Sequence, residues 1–191
     1  MAGSKDVVLV CEDAAHKAFV YTCLSKLGVD DLKWHIAAYV ASQERQGGNR
    51  DDVIERLKGT EFGSWESRCA RHKVLLVAVI DADEDSLTDA RSLLPTSALY
   101  GDLFAVVIPR RNIQTWVELS RDGASAASPD EDENYKRTAT KSDKSAKEAA
   151  RILLSWYQDT PPEAIAENQV WKTFAKQMSE LKQAICVWKA S

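Results

Sequence analysis

The sequence predicts an α/β protein: a parallel sheet of about four strands flanked by helices, with a helical C-terminal extension. Three observations carry that expectation. "VLLVAVI", Val74–Ile80, is a continuous apolar run without polar alternation, which fits a strand buried on both faces beneath two helical layers. Three weaker runs of the same kind alternate with segments of helical spacing, the rhythm of a parallel α/β sheet. After residue 120 the pattern changes: a polar stretch is followed by helical periodicity alone.

Taken in order, Val7–Cys11 reads as a short buried strand. Residues 13–27 read as a helix with Ala18, Phe19, Leu24 and Leu27 inward, ended by Gly28. "LKWHIAAYV", Leu32–Val40, is the second strand. "GGN" at residues 47–49 is a loop, and Asp51 caps a short helix that turns Val53, Ile54 and Leu57 inward. "GTEFGSWESR" carries no clear element. Val74–Ile80 is the third strand, Ser86–Leu94 a helix stopped at Pro95, and Phe104–Ile108 the fourth strand, closed by Pro109. Asn112–Leu119 opens another helix, with Trp116 in the core. Residues 121–147 are rich in Ser, Ala, Asp, Glu and Lys, and predict a flexible polar segment whose "DEDE" run is solvated. Residues 148–191 form the helical extension. Ala149, Ile152, Leu153 and Trp156 lie on one helix, and a last helix after Pro162 buries Ile165, Val170, Phe174, Met178, Leu181 and Ile185.

Composition bounds the function. A chain of 191 residues makes one domain with a modest appendage, residues 1–120 being the α/β part. Its formal net charge of −4 supplies no general attraction to nucleic acid or membranes, although a local basic patch is compatible with it. No run reads as a signal peptide or membrane span. The four cysteines are scattered with no CxxC pair, which argues against zinc and disulfides and predicts a reduced, cytoplasmic protein. Cys11 and Cys23 read as core residues.

The chemistry lies at two strand ends. "VVLVCED" places Glu12 and Asp13 directly after the first strand, and "LLVAVIDADED" places Asp81, Asp83 and Asp85 after the third. Alternate residues of extended backbone point the same way, so Asp81 and Asp83 should project together. Parallel strands exit at one edge, where ligands bind in open α/β sheets. If the first and third strands are neighbours, Glu12 joins the aspartates. Carboxylates held together repel, and a hard divalent cation relieves that repulsion. The alternative for Glu12–Asp13 alone is a helix cap.

At these residues the chain resembles the TOPRIM family, the catalytic domain of topoisomerases, primases, recombination-repair proteins and OLD-type nucleases. The shared pattern is a glutamate after the first strand and a DxD, often extended by a further acid, after a later one. The resemblance covers roughly residues 5–120 and is nearest to small stand-alone or OLD-like proteins of bacterial phage defence. It implies a Rossmann-like sheet, Mg2+ or Mn2+, and cleavage of DNA or RNA. Glu12 would then be the general acid or base and also reach the metal, while Asp81, Asp83 and Asp85 would hold it. The chain departs from the family in having Asp13 where a glycine is usual and Gln114 where related small proteins carry a glutamate. It has no room for the separate tyrosine domain of a topoisomerase.

"VVIPRRNIQTW" follows the fourth strand. Arg110 and Arg111 suit a scissile phosphate, since guanidinium pairs bidentately with phosphate oxygens. The plainer role is to balance nearby acids while Asn112 caps the next helix. Lys136 and Arg137 begin a basic stretch that could track a phosphate backbone or simply be solvated. His16 lies one turn beyond Glu12 and could approach its site, a surface or core role being the commoner one; His16, His35 and His72 are not spaced as a metal set. Two readings result. The first is a divalent-metal-dependent nuclease or nuclease subunit acting with nucleic acid and with a protein partner (an ATPase or other defence subunit) or as a homo-oligomer. The second is a catalytically weak protein-binding or effector-sensing subunit on the same fold. No membrane partner is expected.

Overall fold

The computed structural model describes residues 6–29, 35–44, 49–58, 73–94, 101–122, 142–159, 161 and 163–191. The order of elements is β1 (Asp6–Cys11), α1 (Ala14–Lys26), β2 (His35–Val40), α2 (Ala41–Glu44), α3 (Arg50–Lys58), β3 (Leu75–Val79) and α4 (Leu87–Ser92). A 3₁₀ turn (Gly101–Leu103) leads into β4 (Phe104–Val107), followed by α5 (Ile113–Asp122), α6 (Asp143–Gln158), α7 (Glu163–Ala166) and α8 (Gln169–Ala190). The four strands form one parallel sheet in the order β2-β1-β3-β4. The chain thus leaves β1 to one side and returns to build β3 on the other. A crevice opens outside the carboxyl ends of β1 and β3 at such a switch of direction.

The strands are apolar on both faces because both faces are covered. Val7, Leu9, Leu75, Val77, Val79 and Val107 point into a thick layer made by α1, α5, α6 and α8. Val8, Val10, Leu76, Ala78, Ile80 and Val106 point the other way, toward Val53, Ile54 and Leu57 of α3 and Ala90 of α4. The thick layer is centred on aromatic rings. Phe19 lies 5.2 Å from Trp116, Trp116 5.3 Å from Phe174, and Phe174 5.6 Å from Trp171, centroid to centroid. Trp116 is wholly buried, as its place in the sequence predicts. Leu153, Phe174 and Trp188 belong to the same cluster as the sheet residues. The C-terminal helices therefore complete the main core, and α6 packs along both α1 and α5.

Local chemistry sets the element ends. Gly28, at φ +89°, ends α1 with the paired bonds Gly28 N–H to Ser25 O and Val29 N–H to Leu24 O, the reciprocal closure that favours glycine at that position. The helix after the GGN loop is capped by Asn49, not Asp51: the Asn49 side chain accepts from the Asp51 and Asp52 amides, while Asp52 accepts from the Asn49 amide. The last helical stretch is two helices. It breaks at Glu167, and Asn168 restarts it by accepting from the Trp171 amide. The polar segment is described only to Asp122 and from Ser142 onward. "GTEFGSWESR", His72 and Cys69 lie outside the described residues, as do the side chain of His35 and residues 32–34 of the expected second strand.

At the sheet edge, the Gln177 amide donates to the Ile108 carbonyl at 2.7 Å and accepts its N–H at 2.6 Å. The side chain stands in for a neighbouring strand, since β4 has none on that side among the described residues. Gln177→Leu is expected to leave both buried groups unsatisfied and cost about 1–3 kcal/mol, read as a lower urea midpoint at unchanged slope.

Candidate metal centre

The centre is built where β1 and β3 end. After Cys11 the chain must leave the sheet and start α1, and Asp13 makes the start. Its Oδ1 accepts the Ala15 and His16 amides at 2.9 and 3.0 Å, as an N-cap carboxylate does. That leaves Glu12, one residue earlier, at the crevice. Its Oε1 accepts the Asp81 amide at 2.6 Å, so a side chain from the exit of β1 is tied to the backbone just past β3. Both sequence-level roles are realised by adjacent residues: Asp13 is the cap and Glu12 faces the site.

His16, on the first turn of α1, is fully buried and supplies the third side chain. Its Nε2 lies 2.8 Å from Asp81 Oδ1. Its Nδ1 lies 2.9 Å from Asp13 Oδ1, but that oxygen is aimed at the helix amides, and Nδ1 has no aligned hydrogen bond. Glu12, His16 and Asp81 each offer a ligand atom, all within 4.8 Å of one another. Two carboxylates and an imidazole fit a divalent cation such as Mn2+ better than Mg2+, which prefers oxygen alone.

The burial that assembles the group also perturbs it. Burial, then the Asp81 charge, pushes Glu12 from its ordinary 4.5 up to about 7, against the opposing pull of His16 and the Asp81 amide. Burial pulls His16 down, but the Asp81 charge and the Asp13 and Asp81 carboxylates acting together hold it well above 6.5. Nearby Cys11 is pushed up to about 12, by burial first and then by Asp13. Its thiol is thus a core group, as predicted, and no competing ligand.

Asp83 and Asp85 do not join the group of three. The expectation of parallel projection fails because β3 ends at Val79, before Asp81. Asp83 sits in the left-handed region at φ +51°, in a turn closed by the Asp85 N–H to Ala82 C=O bond. It stays near enough that its charge helps raise Glu12. Asp85 is held elsewhere: its Oδ2 lies 2.7 Å from Arg50 Nη1, which also donates to the Ala82 carbonyl. Nothing local in the sequence marks Arg50 as this partner.

The arginines reach the same edge. Backbone bonds continue past the strands, from the Ala82 amide to Pro109 O and from the Asp83 amide to Arg111 O at 3.0 Å. Arg110 donates to the Asp85 carbonyl. Arg111 is also left-handed, at φ +62°. Two non-glycine residues in that region, bonded to each other, store about 1–2 kcal/mol apiece, and strain of this kind gathers at functional sites. Arg111 Nη1 lies 3.7 Å from the exposed Glu84, while its Nε is buried without a hydrogen-bond partner among the described residues. Asn112 caps α5 by accepting the Gln114 amide, as expected. Gln114 is buried against α1 and α6, near Ala15, Ser142 and Ser145, and its Oε1 has no partner. Lys136 and Arg137 lie outside the described residues.

No helix among the described residues is long and apolar enough to cross a membrane. Comparisons with protein-family models, characterised proteins and solved structures find no match for this chain.

Proposed function

We propose that the chain is a divalent-metal-dependent nuclease or nuclease subunit of TOPRIM-like type, cleaving phosphodiesters of DNA or RNA. The observation that carries the reading is the meeting of Glu12, His16 and Asp81 at the β1/β3 switch point. Glu12, His16 and Asp81 would hold Mn2+ or Mg2+, which supplies charge neutralisation on the phosphate and a polarised oxygen. Asp83 adds negative potential at the rim. Arg111, whose Nη1 faces the exposed Glu84 at this edge, would take a non-bridging phosphate oxygen through its terminal nitrogens and fix the scissile group. Glu12 would also be the group that passes a proton to or from the attacking or leaving oxygen.

The test is to incubate the protein with labelled single- and double-stranded DNA and RNA and Mn2+ or Mg2+, beside Glu12→Ala and Asp81→Ala. Cleavage by the wild type that disappears in both variants supports the nuclease. Mn2+ is expected to exceed Mg2+ because an imidazole is in the donor set.

One observation favours the second reading. His16, buried against Asp81, already provides a positive charge inside the carboxylate group. If Mn2+ neither binds by calorimetry nor supports cleavage, the centre is an internal ion pair. The fold would then serve as a protein-binding or effector-sensing subunit of a larger complex, phage defence included.

A further inference from the structure

A groove of about 590 Å³ runs along the open edge of the sheet, outside β4. One wall is α4 and the other is α8, with Val106 and Ile108 of the edge strand as its floor. A smaller hollow of about 190 Å³ continues it toward the start of β4. Arg91 and Glu180 line both hollows and join the two walls at 3.0 Å.

Three facts concern what the groove would hold. Among the described residues its charged lining is Arg91, Lys172 and Lys176 against Glu180, with Glu167 beside Lys172, a local excess of one positive charge on a chain whose formal net charge is −4. Arg91 and Lys172 are paired only at the surface, with Glu180 and Glu167, and such pairs exchange partners at little cost. Lys176 is exposed and has no ion-pair partner among the described residues. Around these cations stand hydroxyl and amide side chains such as Thr88, Ser92 and Gln169, the groups that contact phosphate and sugar oxygens. Finally, Leu87 and Thr88 begin α4 directly after the Asp81–Ser86 segment. One wall of the groove therefore starts on the segment of chain that leaves the metal centre.

Resting on the nuclease reading, the geometry points to this groove as the track for a single-stranded segment of the nucleic-acid substrate, held by its phosphodiester backbone. A groove of about 590 Å³ has room for a few nucleotides of one strand and not for the full width of a duplex. No aromatic ring lines the larger groove among the described residues, and the contacts it offers are to the backbone, which makes binding electrostatic and sequence-tolerant. The strand would lie along β4 and present a phosphate to Arg111 and the Glu12–Asp81 centre.

The experiment measures anisotropy of a fluorescein-labelled fifteen-nucleotide single-stranded DNA and its RNA counterpart in EDTA. Wild type is compared with Lys172→Glu/Lys176→Glu, and a Mn2+ thermal shift is recorded for both. Expected results are at least a tenfold weaker Kd in the variant and a salt slope shallower by about 1.4, two cations at about 0.7 each, with the Mn2+ shift unchanged. Equal affinity and slope in the two proteins would overturn the proposal, as would an absence of oligonucleotide binding by wild type. Tighter binding of labelled hexaglutamate than of either oligonucleotide would also overturn it, assigning the groove to an acidic protein segment. The Mn2+ shift and the cleavage assay judge the metal reading separately.

Discussion

Asp81→Ala is expected to abolish metal-dependent cleavage and, separately, to remove about 3–5 kcal/mol of folding stability. The stability loss follows from what the residue touches. Asp81 is 2 % exposed and its carboxylate lies against a wholly buried His16. Removing one member of a buried charged pair strands the other without compensation. The catalytic loss follows from deletion of a ligand oxygen. A cation that contributes about 4 kcal/mol to the transition state is worth about a thousandfold in rate. Asp81→Asn separates the two effects. Its amide oxygen can still accept from His16 Nε2, so it should lose less stability than Asp81→Ala, while the lost charge should still suppress cleavage. Chemical denaturation and the nuclease assay on both variants check this. Asp81→Asn with wild-type activity would sink the metal role; Asp81→Ala with wild-type stability would show that His16 does not depend on it.

The meeting of Glu12 with Asp81 was legible in the sequence because a strand exit is a strong constraint. Two apolar runs each ended in an acid, and a parallel sheet sends both to one edge. The adjacency of β1 and β3 remained conditional, since periodicity carries no strand order. What lay beyond was hidden for local reasons. The backbone at Asp83 is not extended, because β3 stops at Val79 and the chain turns left-handed at Asp83, a turn that strand alternation does not reveal. Asp85 belongs to Arg50, and Ile108 to Gln177; such long-range bonds leave no periodic trace. The α7–α8 break needed the asparagine in "ENQ" to be read as a cap. His16 could be placed one turn from Glu12 by helical spacing, but only the tertiary structure shows that its ring meets Asp81. The groove along β4 had no sequence signal, because its cations come from two elements that the fold brings together.

The second large effect is a fall in stability of the metal-free protein as pH rises. Glu12 ordinarily titrates near 4.5 and is held at about 7 in the fold. Below pH 4.5 it is protonated in both states and costs nothing. Between 4.5 and 7 the unfolded chain releases the proton and the folded chain keeps it, so folding grows less favourable with pH. The span corresponds to about 3 kcal/mol. His16 has the same sign: its raised value contributes stability that is complete below pH 6.5 and lost as pH rises through its higher folded value. Glu12→Gln can still accept the Asp81 amide but has no proton to lose. Relative to wild type it should therefore gain up to about 3 kcal/mol between pH 4.5 and pH 8, measured by urea unfolding across that range. Saturating Mn2+ should reverse the trend in wild type, because protons and the cation compete for the same side chains. The Mn2+-induced rise in Tm is expected to be larger at pH 8 than at pH 6 and absent in Glu12→Gln and Asp81→Asn. A Mn2+ response that ignores pH, or survives in both variants, would place the cation somewhere other than between Glu12, His16 and Asp81.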